Sequence, residues 1–387
     1  MSIEICKYDD CTGCFACANG CPVNCISIEP DKYGELHPII NDNKCIKCHK
    51  CIKICPGNKT NIQLLKPLHC YAAYRLDKEK RADSASGGIG ALLSEYIVQN
   101  KGVVFGVKFN EKLIPIHSSG RTPDEIEAFK GSKYVQSRIN FTFKEAKAYL
   151  DKNITVLFVG TPCQISGLKS YLGNKQYSNL ITCDLICHGV SSYKFLQEHI
   201  KTIGIKNITN ITFRSNRIKS NFRLKLFQDN KIIYNKRHFQ DNYFHAFLRG
   251  MSLRESCYKC KYACNNRMAD ITLGDFIGLG KSIPFKKNDT NSSVVLINTQ
   301  KGLYVFNKII TNKLYCEERN YTEAISGGIS LRQPFPRYKE QRIFKTLCYQ
   351  SSFDKAIDKL MFWDKKKFFF KASLNFAKRK ILCRIKL

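Results

Sequence analysis

The sequence predicts a chain in two parts: a small α+β unit organised around cysteine, then a larger mixed α/β domain with an antiparallel β insert. Three observations predict it. Two runs of one cysteine spacing, CTGCFACANGCP at residues 11–22 and CIKCHKCIKICP at 45–56, lie 34 residues apart. Beyond residue 67, apolar runs of strand length alternate with stretches of helical spacing. Within that region FRLKLFQDNKIIY alternates apolar and polar side chains around Asp229 and Asn230, a hairpin signal.

Each cysteine run reads C-x2-C-x2-C-x3-C-P, the run that two-cluster bacterial ferredoxins use. Three close cysteines can wrap three corners of a cubane, and the fourth, past a turn, points to the other cluster. One 4Fe-4S cluster is therefore expected on Cys11, Cys14, Cys17 and Cys55, and a second on Cys45, Cys48, Cys51 and Cys21. Pro22 and Pro56 stop the chain from continuing as helix toward the ligand. Zinc sites use two C-x2-C pairs with tetrahedral closure. A third cysteine and a closing proline, both repeated, favour iron–sulfur. Cys25 is read as a packed thiol near the second cluster, and Cys6 and Cys70 as structural.

In the larger part, CYAAYRL, GVVFGVKF, ITVLFVG, NLITCDLICHG, ADITLGDF and SSVVLIN are expected strands. SGGIGALLSEYIV carries Ile89, Leu92, Leu93, Tyr96 and Ile97 at helical spacing. Ser84 or Ser86 can cap that helix, and its free N–H groups can seat a phosphate; a tight turn without ligand explains the same residues. GGIG is not G-x-G-x-x-G, and Gly274 stands one residue too far from GLGKS for a phosphate loop. A second cysteine set follows expected strand ends: GTPCQ with Cys163, CHG with Cys187, and SCYKCKYAC with Cys257, Cys260 and Cys264. These can meet and hold a third metal centre. Buried inert thiols, or zinc on the C-x2-C pair, are the other readings.

A length of 387 residues suits two or three domains, and 43% hydrophobic content allows a sizeable core. No apolar run reaches the roughly 18–20 residues of a membrane span. The start MSIEICKYDDC has no basic region followed by an apolar stretch, so the cytoplasm is the expected compartment. There the 20 cysteines point to metal ligation rather than disulfides. The formal charge of +31 predicts attraction to something acidic, although a lysine-coated surface needs no partner. From Lys365 to Leu387 there are nine Lys or Arg and no acid. Phe370, Leu374, Ala377, Ile381 and Ile385 fall on one helical face there. Such a basic amphipathic helix suits an anionic membrane surface, or packing on the protein's own body or on a partner with its lysines in water.

Taken in order, SASGG, GSKYVQS (131–137), GTPCQISGLK, CDLICHGVS and CYKC…RMADITLGDF resemble the coenzyme F420 hydrogenase/dehydrogenase beta subunits. More narrowly they resemble a bacterial branch with a two-cluster ferredoxin domain in front. The resemblance runs from Cys11 to about residue 345. It implies an α+β ferredoxin-like two-cluster domain (1–66) and an α/β flavin-binding domain (67–345); the basic C-terminal tail (346–387) lies beyond it. It implies a third 4Fe-4S cluster on Cys163, Cys187, Cys257 and Cys260, with Cys183 and Cys264 as second choices. It implies FAD, contacted by Ser86, Gly87, Gly88, Lys133, Tyr134, Gln136 and Thr161. Ile277 stands where the family has Trp after GDF, so one wall of the flavin or substrate pocket is expected to differ.

The implied activity is an oxidoreductase. Electrons would come from a ferredoxin-like or other redox partner protein and go to a small-molecule acceptor. The acceptor would be coenzyme F420 or another unsaturated or carbonyl compound, in a setting of surface-polysaccharide biosynthesis. One rival reading is a non-catalytic adaptor subunit of a larger oxidoreductase; a second is a binding or regulatory module that uses its clusters structurally or reads nucleic acid through its charge. His188 is a candidate proton donor, with a structural role as its alternative, and Asp270 and Asp275 are candidate orienting groups. No nucleic-acid module is recognisable.

Overall fold

The computed structural model describes residues 3–59, 62–173, 175–214, 222–285, 291–310 and 313–384, with side chains through 368 and at 370. Thirteen strands are described. In chain order they are β1 (Ile26–Pro30), β2 (Leu36–Ile40), β3 (His69–Arg75), β4 (Val103–Phe109), β5 (Pro115–Gly120), β6 (Val156–Gly160) and β7 (Leu180–Leu185). Then come β8 (Asn210–Arg214), β9 (Phe222–Gln228), β10 (Lys231–Arg237), β11 (Ile271–Asp275), β12 (Ser293–Ile297) and β13 (Leu314–Glu318).

The front unit pairs β1 with β2 antiparallel and carries two short helices, Ala16–Gly20 and Lys50–Lys53. The two cysteine runs fold alike. Gly13 and Lys47 both have positive φ, as do Phe15 and His49, the equivalent positions that open each helix. Cys21 (φ −70°, ψ 119°) and Cys55 (φ −71°, ψ 117°) are both extended. Proline disfavours the helical region for the residue before it. The closing prolines therefore swing each fourth cysteine out of its own loop.

The large sheet has the order β13-β3-β12-β11-β7-β6-β4-β5. Its centre, β11-β7-β6-β4, is parallel, and the flanking pairs are antiparallel. Central strands covered on both faces read as continuous apolar runs, and Val103, Phe105, Val156, Leu157, Phe158 and Ile271 are fully buried. One face packs on the helices Ile89–Gln99 and Gln300–Ile309. The core on the other face includes Phe143, Ile165 and Leu168, and continues without a break into Cys14, Cys17, Cys21 and Cys51 of the front unit. Residue 65 bridges to Arg267, so the stretch at the expected 66/67 boundary is already tied to the large domain.

β8, β9 and β10 form a separate antiparallel sheet. Asp229 and Asn230, both at positive φ, turn its β9–β10 hairpin. The boundary expected at residue 345 falls inside the helix Lys339–Gln350, whose Phe344, Lys345 and Cys348 are buried. The helix Phe353–Arg384 follows, with Phe353, Ala356, Ile357 and Met361 packed into the same core as Phe195 and Tyr243. The first part of the expected tail is thus integral to the fold. Of the apolar face expected beyond it, only Phe370 has a described side chain, and Ile385 lies outside the described residues.

Candidate metal centres

The expected cysteine ligands line three cavities, one set to each. Cys11, Cys14, Cys17 and Cys55 line the first, with Ile5, Ile28, Pro38 and a fifth thiol, Cys6. Cys45, Cys48, Cys51 and Cys21 line the second, with Ile26, Ile40, Ile46 and again a fifth thiol, Cys25. The exchange of fourth cysteines between the runs is therefore present in the fold. Cys25 sits beside a ligand position, its Sγ 3.4 Å from that of Cys21 and its main-chain N–H donating to Cys21 Sγ at 3.3 Å. Thiols around an apolar void are the donor chemistry of an iron–sulfur cluster. Among the described residues no three Cys, His, Asp or Glu side chains close on a single ion.

The third cavity is lined by Cys163, Cys187, Cys257 and Cys260, with Thr161, His188, Arg254, Tyr262 and Phe335. It is larger, about 820 Å³ with its open mouth against 350 and 320 Å³ for the front two. Thr12, Pro56 and Gly57 line both it and the first cavity, so the two share a wall. Gly167 makes this closeness possible. A Cβ there would stand 3.0 Å from Cys14 Cβ.

Local chemistry explains the motifs. β6 ends at Gly160, and Thr161 caps the helix Pro162–Leu172 in a capping box with Gln164, whose Oε1 accepts from Thr161 N–H at 2.9 Å. Pro162 takes the first helical position, which suits its missing N–H. Cys163 is left on the first turn, near the positive helix end, with Thr161 Oγ1 3.1 Å from its sulfur. β7 ends at Leu185, two residues before Cys187. Gly189, at φ +128°, lies where a Cβ would strike Leu253. Both cysteines thus lie just beyond the carboxyl ends of adjacent parallel strands, where open α/β sheets bind ligands. Asp184 holds the start of β11 by accepting from Arg267, Met268 N–H and Thr272 Oγ1 at 3.3, 3.2 and 2.5 Å. Asp270 accepts from Thr182 N–H and Oγ1 at 2.8 and 2.7 Å.

Burial pushes the Cys187 thiol up to about 12 and Cys260 to about 11, and raises Cys163 and Cys257 as well. A nucleophilic cysteine needs the opposite shift. The two second choices stand apart. Cys183 is fully buried with its sulfur toward Asp184 O, and Cys264 points to Lys261 O and Asn266 O; neither lines the cavity. His188 does line it. Its Nε2 is 3.1 Å from Phe247 O, so Nε2–H donates to that carbonyl, and burial lowers its pKa.

The residues expected to contact FAD are spread over the fold. Only Thr161 lines the third cavity. Gln136 is engaged with the front unit, its Nε2 donating to Thr12 O at 3.0 Å and its Oε1 accepting from Arg254. The Tyr134 ring packs among Phe213, Phe222, Phe244 and Phe247. Lys133 donates to Ala128 O and Lys130 O, and burial pushes it down to about 7. Ser86, Gly87 and Gly88 sit at the carboxyl end of β3, against Ser292 and Ser293 of β12's start. There Gly88, at φ +82°, opens the helix Ile89–Gln99. Beside it Arg75 pairs with Glu95, while its buried Nε has no hydrogen-bond partner among the described residues. That helix end and guanidinium fit a phosphate group.

Arg254 carries no spacing signal in the sequence, yet it is a hub. It is 2% exposed. Its Nε donates to Cys11 O at 2.8 Å, Nη1 to Gln136 Oε1 at 3.2 Å, and Nη2 to Leu36 O at 2.8 Å and His37 Nε2 at 3.2 Å. Nearby, Lys345 Nζ reaches Glu35 and Glu255 at 2.5 Å each. Opposed by burial but favoured by His37, Lys345 and Arg254, the Glu35 carboxylate is held at about 2.

Residues 154–323 match the family described as the C terminus of the coenzyme F420 hydrogenase/dehydrogenase beta subunit, and residues 10–59 match the 4Fe-4S dicluster domain. A stretch of 54 residues is 37% identical to the aliphatic sulfonate oxidoreductase, polyferredoxin-like subunit, of Pyrococcus furiosus. It covers 13% of this chain and 30% of that protein, so the chain spans under a third of that relative's length. Among solved structures, a chain of the xenon-derivatised F420-reducing [NiFe] hydrogenase complex from Methanosarcina barkeri aligns at TM-score 0.47 and 18% identity. That alignment covers 76% of this chain and 92% of the other. Residues 154–323 thus carry the C-terminal part of the coenzyme F420 hydrogenase/dehydrogenase beta subunit family, behind a 4Fe-4S dicluster domain at residues 10–59.

Proposed function

We propose that the chain is an iron–sulfur flavoprotein oxidoreductase. It takes electrons from a low-potential, ferredoxin-like donor protein and delivers them to a small acceptor, coenzyme F420 or another unsaturated or carbonyl compound, with surface-polysaccharide biosynthesis as its setting. One observation carries the reading: three cavities hold the three expected cysteine quartets, and the first and third share a wall. When bound, iron–sulfur clusters exchange single electrons and a flavin exchanges them singly or in pairs.

The chain's own residues hold, seal and expose these sites. Cys48 is exposed, and Lys44, Lys47, Lys50 and Lys53 stand exposed around it. This basic rim suits an acidic donor docking at the second site. The first site is buried deeper, with Cys14, Cys17 and Cys55 each 8% exposed, and the core they join excludes water. Cys163, Cys187, Cys257 and Cys260 would hold the third cluster. The helix start at Gly88 with Arg75 would hold the phosphates of FAD.

The test is anaerobic purification of Cys163→Ser and Cys187→Ser. Each is expected to lose about a third of the iron and to keep the front pair's spectrum. Unchanged iron in both overturns the third ligand set. A second reading, an electron-transfer adaptor subunit, is favoured by the likeness of a 54-residue stretch to a polyferredoxin-like subunit. It predicts flavin reduction with no turnover of any small acceptor until a partner oxidoreductase is added.

A further inference from the structure

The C-terminal helix Phe353–Arg384 has two unlike faces. One is spent on the protein body. Phe353, Ala356, Ile357 and Met361 are buried, and Asp364 accepts from His245 and Arg249 at 3.0 and 2.9 Å. The other carries large aromatics in water: Phe362 is 47% exposed, Trp363 71% and Phe370 67%. Trp363 and Phe370 are seven residues apart, two turns along one side of the helix. Lys366 Nζ lies 4.4 Å from the Phe362 ring centroid and 5.4 Å from that of Trp363.

Three exposed aromatics threaded with lysine form a patch that a monomer in water gains nothing by keeping. Its chemistry matches a lipid interface. Tryptophan seats at headgroup level, lysine stems lie along apolar surface with their ammonium groups out, and basic clusters are drawn to anionic lipid. The charge agrees in sign, since the stretch from Lys365 onward is entirely basic in a chain of net charge +31. Among the described residues no helix is long and apolar enough to cross a membrane, so contact along the surface is the fitting geometry. We propose that this face docks the protein on an anionic bilayer, with Trp363 and Phe370 in the headgroup layer.

Trp363 is the only tryptophan in the chain, so intrinsic emission reports on this face alone. The full-length holoprotein is mixed anaerobically with vesicles of phosphatidylcholine, with or without phosphatidylglycerol. Expected are co-flotation with the anionic vesicles only, a blue shift of Trp363 emission, and reversal by salt. Trp363→Ala and Lys366→Glu are each expected to weaken vesicle binding about tenfold, with iron and flavin content unchanged. Equal recovery on neutral and anionic vesicles overturns the proposal, as does wild-type binding by both variants. Failure to float, with tight binding to an acidic protein instead, overturns it as well. None of these outcomes touches the redox reading, which is measured separately.

Discussion

Replacing Arg254 with methionine removes the guanidinium on which the front unit is seated, while keeping a long side chain in the space. Four contacts go: Cys11 O, Leu36 O, Gln136 Oε1 and His37 Nε2, all within 2.8–3.2 Å. Hydrogen bonds to a charged group contribute about 1.5–3 kcal/mol each, so the gross loss is about 6–12 kcal/mol. Two effects reduce it. Methionine no longer carries the desolvation cost of a buried cation, and the neighbouring cavity admits water to the freed carbonyls. A net destabilisation of about 3–5 kcal/mol remains, in line with leaving several buried acceptors without a donor. Arg254→Lys is expected to fall between, because an ammonium cannot reproduce the fork. Anaerobic guanidinium unfolding, followed by cluster absorbance and circular dichroism, measures both. A methionine variant within about 1 kcal/mol of wild type would refute the idea that this residue seats the front unit.

His199 donates to Asp241 at 2.9 Å and Asp354 at 2.8 Å. Burial alone would lower it, but the two carboxylates outweigh burial and push it up to about 9 from 6.5. Its contribution, about 3 kcal/mol, is full below pH 6.5 and lost as pH rises through 9; denaturation across that window should flatten in His199→Gln, and an unchanged slope would count against the pair of ion contacts. Gly167→Ala, which in an open helix would stabilise, is expected to destabilise by about 1–3 kcal/mol. Its Cβ would meet Cys14 Sγ at 3.1 Å; a higher melting temperature with full iron content would contradict this. Cys25→Ala should leave the iron count intact, because the contact to Cys21 Sγ that matters comes from the main-chain N–H. Cys21→Ala should deplete the second site, and equal iron in the two variants would reverse the assignment.

Local patterns were legible wherever the chemistry is local. The cysteine period with its proline already contains the swapped quartets, because pre-proline geometry acts within one peptide unit. The buried central strands read as apolar runs, so GTPCQ and CHG could be set at strand ends. Other features needed the fold. β5, PIHSSG, is polar and half-buried, and no alternation marks it. Arg254 and His199 look like ordinary charged residues until distant carbonyls and carboxylates meet them. A short motif also does not say which side chain faces a ligand. Gln136 of KYVQS turned out to clamp Thr12 and Arg254, and Tyr134 to pack among phenylalanines. The break expected near residue 345 followed the end of the family resemblance, and burial of Phe344 and Cys348 carries the helix across it.

The measurement that bears most directly on the account is a stoichiometry. Protein purified without air is assayed for iron, acid-labile sulfide, zinc and flavin. Three cubanes and FAD predict about 12 iron, about 12 sulfide and about one flavin per chain, with no zinc. About 8 iron would remove the third centre from the account. A colourless, zinc-loaded protein without flavin would contradict the whole of it.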